Sequence, residues 1–327
     1  MTKNFNSIKH LLSSLIFSSH YRRVLPLRLY LRYLKVEFLL KEKENENGKS
    51  ELYKQHNDIL SVYCTNILLK DIKFDYPIIK KHRSNGDEPI WICWLQGEDD
   101  MPELNKMCCE SIKKHANKHP VIFVDESNIR EYVTISDRIE QLYRSKKILP
   151  AVYADYIRCA LLAQHGGLWL DSTILLTSDI DEQSFETEFY SIKDYCRDNW
   201  SISYYRWATF IMGATKNSRT FKLLQSLFEY YFSQFDLNFS YIMIDYFIES
   251  IYQKNDAFHD YIEERPYTNR ELHSLRFRLS EEYNEEEWHR LTQNTNVFKL
   301  TYKIELRTET SKGKDTNYGY LLKNYLY

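Results

Sequence analysis

Two spacings of apolar residues divide this chain, and the change comes near residue 87. Before it the spacing is helical. "HYRRVLPLRLYLRYLKVEFLL" interleaves Arg22, Arg23, Arg28, Arg32 and Lys35 with Leu, Tyr and Phe, and Glu51 to about Lys70 repeats the helical pattern. "KEKENENGKS", Lys41 to Ser50, is a charged, glycine-containing break that reads as a linker, and "KKHRSNGDEP", Lys80 to Pro89, reads as a second loop. Beyond it, short unbroken apolar runs begin. "IWICWLQG", Ile90 to Gly97, ends on glycine and reads as a buried strand, as does "VIFVD", Val121 to Asp125. Between them, Pro102 to Asn117 opens on proline and sets Leu104, Met107, Cys108 and Ile112 at helical spacing. Strand, helix and strand over Ile90 to Asp125 predict a parallel βαβ unit. No GxGxxG follows the first strand, which disfavours a dinucleotide-binding site.

The next segment reads "ILPAVYADYIRCALLAQHGGLWLDST". Pro150 can start a helix, and Gly166 and Gly167 end it, because glycine reaches the left-handed conformation of a helix terminus most easily. His165 reads as part of that cap. The strand Leu168–Leu170 then delivers Asp171 at its C-terminal tip, the edge where ligands gather in open α/β sheets. Downstream, Arg219 to Phe235 and Tyr241 to Tyr252 read as amphipathic helices, and "NVFKLTYK" as a strand or turn. The expected division is a basic helical region with its linker over 1–86 and an α/β domain over 87–327.

Composition narrows the function. With 44 basic and 46 acidic residues the chain is nearly neutral, which argues against a broad nucleic-acid surface. Residues 1–41 are the exception, with eight Lys or Arg and one Glu. A basic, apolar-rich helix of this kind suits peripheral contact with an anionic membrane; an ordinary helix packed on the domain is the plainer account. No apolar run reaches the ~18 residues of a membrane span, and Leu11 to Phe17 lacks a cleavage site after it. Six cysteines without a CxxC pair fit free thiols in a reducing cytosol, and speak against zinc. The expected place is the cytoplasm, at the inner face of the membrane where the basic segment engages it.

Candidate chemistry centres on Asp171. A departing nucleoside diphosphate gathers negative charge, and a divalent ion bridging its phosphates stabilises it. Mg²⁺ is commonly held by one or two carboxylates plus substrate phosphates, so Asp171, with Thr173 or a water, is a candidate metal site. Asp155 and Arg158, three apart, share a helix face. A plain intrahelical ion pair explains them in isolation; their place before the glycine pair and Asp171 favours a site. Asp245, on the apolar helix "YIMIDYFIE", is a candidate to orient an acceptor hydroxyl or act as base, or a buried partner for an Arg.

The array "IWICWLQG … VIFVDESN … ADYIRCALLAQHGGLWLDSTILL … FKLTYK" resembles bacterial capsular polysaccharide synthesis glycosyltransferases, over roughly residues 87 to 305. That family is related to GT-A-fold enzymes carrying a DxD motif, including the clostridial glucosylating toxins. The resemblance implies a GT-A-like, Rossmann-related mixed sheet flanked by helices, with an added N-terminal helical segment. It also implies retaining hexosyl transfer from a UDP- or GDP-sugar to a polysaccharide or lipid-linked glycan, with Mn²⁺ or Mg²⁺ as cofactor. By position, Asp155, Arg158, Gly166 and Gly167 fall to donor binding, Asp171 to the first Asp of DxD, and Trp94 to an aromatic on the donor base. Lys299 and Lys303, in the family-like tail, would reach the diphosphate if the tail folds over the site. The second Asp of DxD is Thr173 here, which puts tight metal binding in question. A non-catalytic subunit that keeps the fold and binds nucleotide sugar or glycan is the alternative. A phosphohydrolase is disfavoured, because "WLDSTILL" puts Trp169 where an Asp nucleophile is needed.

Overall fold

Ile90–Cys93 (β1) offers water no strongly polar side chain, and the chain buries it between two parallel neighbours, Val121–Val124 (β2) and Gly167–Leu170 (β3). The computed structural model describes residues 19–43, 46–74, 84, 86–195 and 200–327. A fourth strand, Ile211–Ala214 (β5), runs antiparallel to β3, so the sheet order is β2-β1-β3-β5. Ile174–Leu176 (β4) and Val297–Lys299 (β6) form a separate antiparallel pair, with Ile174 opposite Lys299. The fold is mixed α/β with helices flanking a mostly parallel sheet, as the sequence predicts.

Strand alternation sorts the sheet's side chains into two cores. Trp91, Trp169, Met212 and Ala214 join one hydrophobic cluster; Ile90, Ile92, Leu168, Leu170 and Ile211 join another on the opposite face. Glu103–Lys114 (α3) is the crossover between β1 and β2, shorter at its end than the expected Pro102 to Asn117. The first core is completed by Asp137–Arg144 (α4), Pro150–Gln164 (α5), Arg219–Gln234 (α6) and Met243–Lys254 (α7). Asp256–Glu264 (α8) follows α7, and Glu285–Thr292 (α9) and Asn317–Tyr325 (α10) flank β6 in sequence.

The N-terminal helices share that first core. Leu27–Glu42 (α1) buries Leu29, Tyr30, Tyr33 and Val36, a helical stripe, against the same cluster as Tyr231, Phe239 and Tyr246. Glu46–Tyr63 (α2) is tied to α7 by Tyr246, whose hydroxyl donates to Asn57 Oδ1 at 3.0 Å. Most of Lys41–Ser50, expected as a linker, is therefore helix: α1 runs to Glu42 and α2 starts at Glu46. Lys and Glu are good helix formers, and their charge alone does not break a helix. Half of the expected loop at Lys80–Pro89, the stretch Leu11–Phe17 and Cys196 lie outside the described residues. Cys64, Cys93, Cys108, Cys109 and Cys159 are free thiols. Among the described residues, no helix is long and apolar enough to cross a membrane.

Candidate active site

Asp171 stands where β3 stops. Its N–H donates to Phe210 O at 2.9 Å, and its carbonyl accepts from Ile174 N at 2.9 Å, closing a short turn into β4. Trp169, two residues back, faces the same way, and its indole N–H donates to Asp171 Oδ1 at 3.0 Å. Arg158 Nη2 donates to the same oxygen at 3.1 Å, and Lys299 Nζ to Oδ2 at 2.6 Å. Asp171 is thus not a turn cap; its carboxylate collects three side-chain donors. Burial alone would raise its pKa, but Lys299 and Arg158 outweigh that, and hold it down at about 2.

The glycine pair has a task other than donor binding. Gly166 and Gly167 take φ of 70° and 91° and sit at the start of β3, the far end of the strand from Asp171. A Cβ on Gly167 would stand 2.1 Å from Pro89 O, and one on Gly166 2.4 Å from Lys216 N. They allow the helix-to-strand turn to pack against β1 and β5, and so set the register that puts Asp171 at the sheet edge. Neither lines the cleft. His165 is the residue that caps α5, and its Nε2 pairs with Tyr132 O at 2.7 Å.

A cleft of about 610 Å³ opens beside Asp171, within the usual range for a small-molecule site. It brings together Trp94, Asp155, Arg158, Thr173, Asp245, Lys299 and Lys303, the remaining residues that the sequence offers as candidates for donor, acceptor or metal. Asp155 and Arg158 are no surface pair. Their side chains are 12% and 6% exposed, and Asp155 Oδ1 lies 2.9 Å from Arg158 Nη1. The guanidinium also lies 4.7 Å from the centre of the Trp169 ring. Its Nε and Nη1 have no aligned hydrogen-bond acceptor among the described residues. Lys299 is fixed from two sides, by Asp171 and by the Phe210 ring at 4.9 Å.

The opposite wall carries acids of another kind. Burial pushes Asp155 up to about 7; Arg158 opposes the rise, while Asp245 and Asp171 add to it. Burial likewise lifts Asp245 to about 6, against the Trp207 indole, which donates to its Oδ1 at 2.9 Å, and against Arg158. Cys93, also at the cleft, is pushed up to about 12 by burial, which rules out a resting thiolate nucleophile. Trp94 is half-buried, and its ring meets Tyr302 edge-on at 5.8 Å.

Sequence reasoning missed Trp207, Arg276, Tyr241 and Tyr302. Tyr302 lay in the quoted "NVFKLTYK", beside Lys303. Arg276 and Trp207 sit in stretches with no periodic pattern, and only the folded chain brings Arg276 to the cleft and Trp207 behind it, onto Asp245.

The sequence matches capsular polysaccharide synthesis proteins over residues 40–321. The chain belongs to that family. No curated protein matches it. Among solved structures it is similar to the PaToxG glycosyltransferase, at 12% identity over 77% of this chain and 99% of that one, with a TM-score of 0.36.

In this member of the capsular polysaccharide synthesis family, the expected cation site does not fit a divalent metal. Both Asp171 oxygens are engaged by cations. Thr173 offers a neutral hydroxyl at the cleft, and its carbonyl accepts from Leu300 N at 2.9 Å. Among the described residues, no group of three or more His, Cys, Asp or Glu is placed to hold a metal. Unit charges of like sign 4 Å apart repel by about 4 kcal/mol at an effective dielectric near 20, and a divalent ion doubles that against each of Lys299 and Arg158.

Proposed function

We propose that this chain is a nucleotide-sugar-dependent glycosyltransferase of the GT-A type. It would move a hexosyl unit from a UDP- or GDP-sugar to a growing capsular or other surface polysaccharide, or to a lipid-linked glycan, with retention of configuration. The observation that carries this reading is the Asp155–Arg158–Asp171–Lys299 network, gathered at the C-terminal edge of a parallel strand in an open cleft. Membership in a capsular polysaccharide synthesis family gives that network its context.

In this reading Arg158 and Lys299 face the donor's diphosphate, Trp94 and Tyr302 supply ring faces for base or sugar, and Asp245 faces the acceptor. A carboxyl near 6 is well matched to orient an acceptor hydroxyl and take up its proton at neutral pH. The exposed face of α1 extends the proposal to a membrane surface. Leu27 and Leu31 are 62% and 57% exposed there, beside exposed Arg28, Arg32 and Lys35.

A panel of UDP- and GDP-sugars, screened for thermal stabilisation and then for donor hydrolysis, tests the central reading. At least one should raise the melting temperature and be turned over. If none stabilises and none is hydrolysed, the reading fails; binding without turnover favours the non-catalytic subunit. Vesicles with acidic lipids should retain the protein at low salt and release it at high salt, and failure to bind them removes the membrane element.

A further inference from the structure

We propose that Lys299 takes the place of the divalent cation, so that this chain binds its nucleoside diphosphate through a resident ammonium and Arg158, without metal. The inference rests on the nucleotide-sugar reading above and deepens it.

Three observations meet at one point. Lys299 Nζ lies 2.6 Å from Asp171 Oδ2, on the carboxylate that the family pattern would give to a metal. The lysine is built into the site: its backbone is paired opposite Ile174, its N–H donates to Leu272 O at 2.8 Å, and its ammonium lies 4.9 Å from the Phe210 ring centre. At 19% exposure its side chain still reaches the cleft. On the other side of Asp171, the 6%-exposed Arg158 keeps Nε without an acceptor among the described residues, and its Nη1, 2.9 Å from Asp155 Oδ1, makes no aligned hydrogen bond there. A buried guanidinium with one donor unmet and another poorly aligned has capacity left for an anion with several oxygens. A diphosphate supplies them, and it meets a fixed pair of cations whose spacing Asp171 sets.

The physical logic explains Thr173. A second carboxylate at that position would neutralise one of the two cations and favour a metal in exchange. A threonine leaves both cations available. Asp171 then acts as a positioning residue: it holds Lys299 and Arg158 side by side against their own repulsion.

The test titrates the full chain with UDP and with GDP by calorimetry, once in EDTA and once in Mn²⁺. We expect one nucleotide to bind equally under both conditions. Lys299→Gln should weaken that binding by roughly ten-fold or more, as expected for loss of a charged hydrogen bond, with no rescue by Mn²⁺. Lys299→Arg should keep most of it. Binding that appears only with Mn²⁺, or that ignores Lys299→Gln, overturns the proposal and leaves the nucleotide-sugar reading intact. Binding of neither nucleotide under either condition sinks both. A spin-resonance titration of the wild-type chain with Mn²⁺ alone is an arm independent of any variant's folding. It should show no bound metal, and bound Mn²⁺ that Asp171→Asn abolishes overturns the proposal.

Discussion

The two walls of the cleft carry the same side chain in opposite states. On the β3–β6 wall, Asp171 meets Lys299 and Arg158 and is held near 2. On the α5–α7 wall, Asp245 meets a neutral indole and is lifted to about 6. Burial pushes both upward, so the partners decide the outcome. One wall therefore presents fixed charge throughout the physiological range. The other presents a group that changes protonation close to it. That division suits a reaction needing an electrostatic seat on one side and a proton acceptor on the other.

The largest expected effect breaks the charged wall. Asp171→Asn leaves Lys299 and Arg158 adjacent without their shared anion. Donor turnover should fall by about 100-fold or more, the scale of losing a preorganised electrostatic group. Stability should also fall, by about 1–3 kcal/mol, because two partly buried cations lose their partner. Turnover equal to wild type would show that the two walls do not differ in the way described.

Gly167→Ala attacks the same wall from its far end. The methyl group would meet Pro89 O at 2.1 Å, and the residue must keep φ of 91°. A clash with backbone cannot be relieved by a rotamer, so the strand must shift. The expected loss is about 3 kcal/mol or more, with β3 and Asp171 displaced together. A melting curve matching wild type would mean the glycine is not needed for the register.

The pH dependence of stability separates the walls most cleanly. Asp171's folded pKa is depressed, so its contribution is present above its unfolded value near 3.8 and is lost as pH falls through about 2. Asp245's folded pKa is raised, so its burial is tolerated below about 3.8 and costs stability as pH rises through about 6. Asp245→Asn, which keeps an oxygen for Trp207, should therefore stabilise the protein on the order of 1–3 kcal/mol at pH 7–8. The gain should vanish near pH 4. Denaturant midpoints across that range check the sign, and a variant no more stable at pH 8 than wild type would remove the raised pKa.

Much of this was legible in the sequence because its signals are local. The runs at Ile90 and Val121, the Pro150 start and the glycine pair fix strands and helix by short-range sterics. Asp155, Arg158 and Asp171 could be placed in one site because a helix, a tight turn and a strand leave little freedom between them. Charge in Lys41–Ser50 misled, since those residue types favour helix as readily as loop. The glycines pointed to the right place for the wrong reason: their conformation matters to the sheet, not to the ligand. Lys299 stands out in the family-like tail, but its contact with Asp171, 128 residues away in sequence, depends on the pairing of β4 with β6. Trp207 on Asp245 carries no local signal at all.

The smallest effect tests what lies between the walls. Trp94 touches neither acid; it is half-buried at the end of β1, against Tyr302, with its indole N–H unpartnered among the described residues. If it gives a ring face to the nucleotide, Trp94→Leu should weaken nucleotide binding by several-fold, about 0.5–1.5 kcal/mol for a lost aromatic pair. Trp94→Phe should recover most of that loss, because the face remains and only the N–H goes. Neither change should alter the pH profile of turnover, since no titrating group gains or loses a hydrogen bond. A Trp94→Leu variant that shifts the profile would tie Trp94 to one of the acids; one with unchanged affinity would make it core.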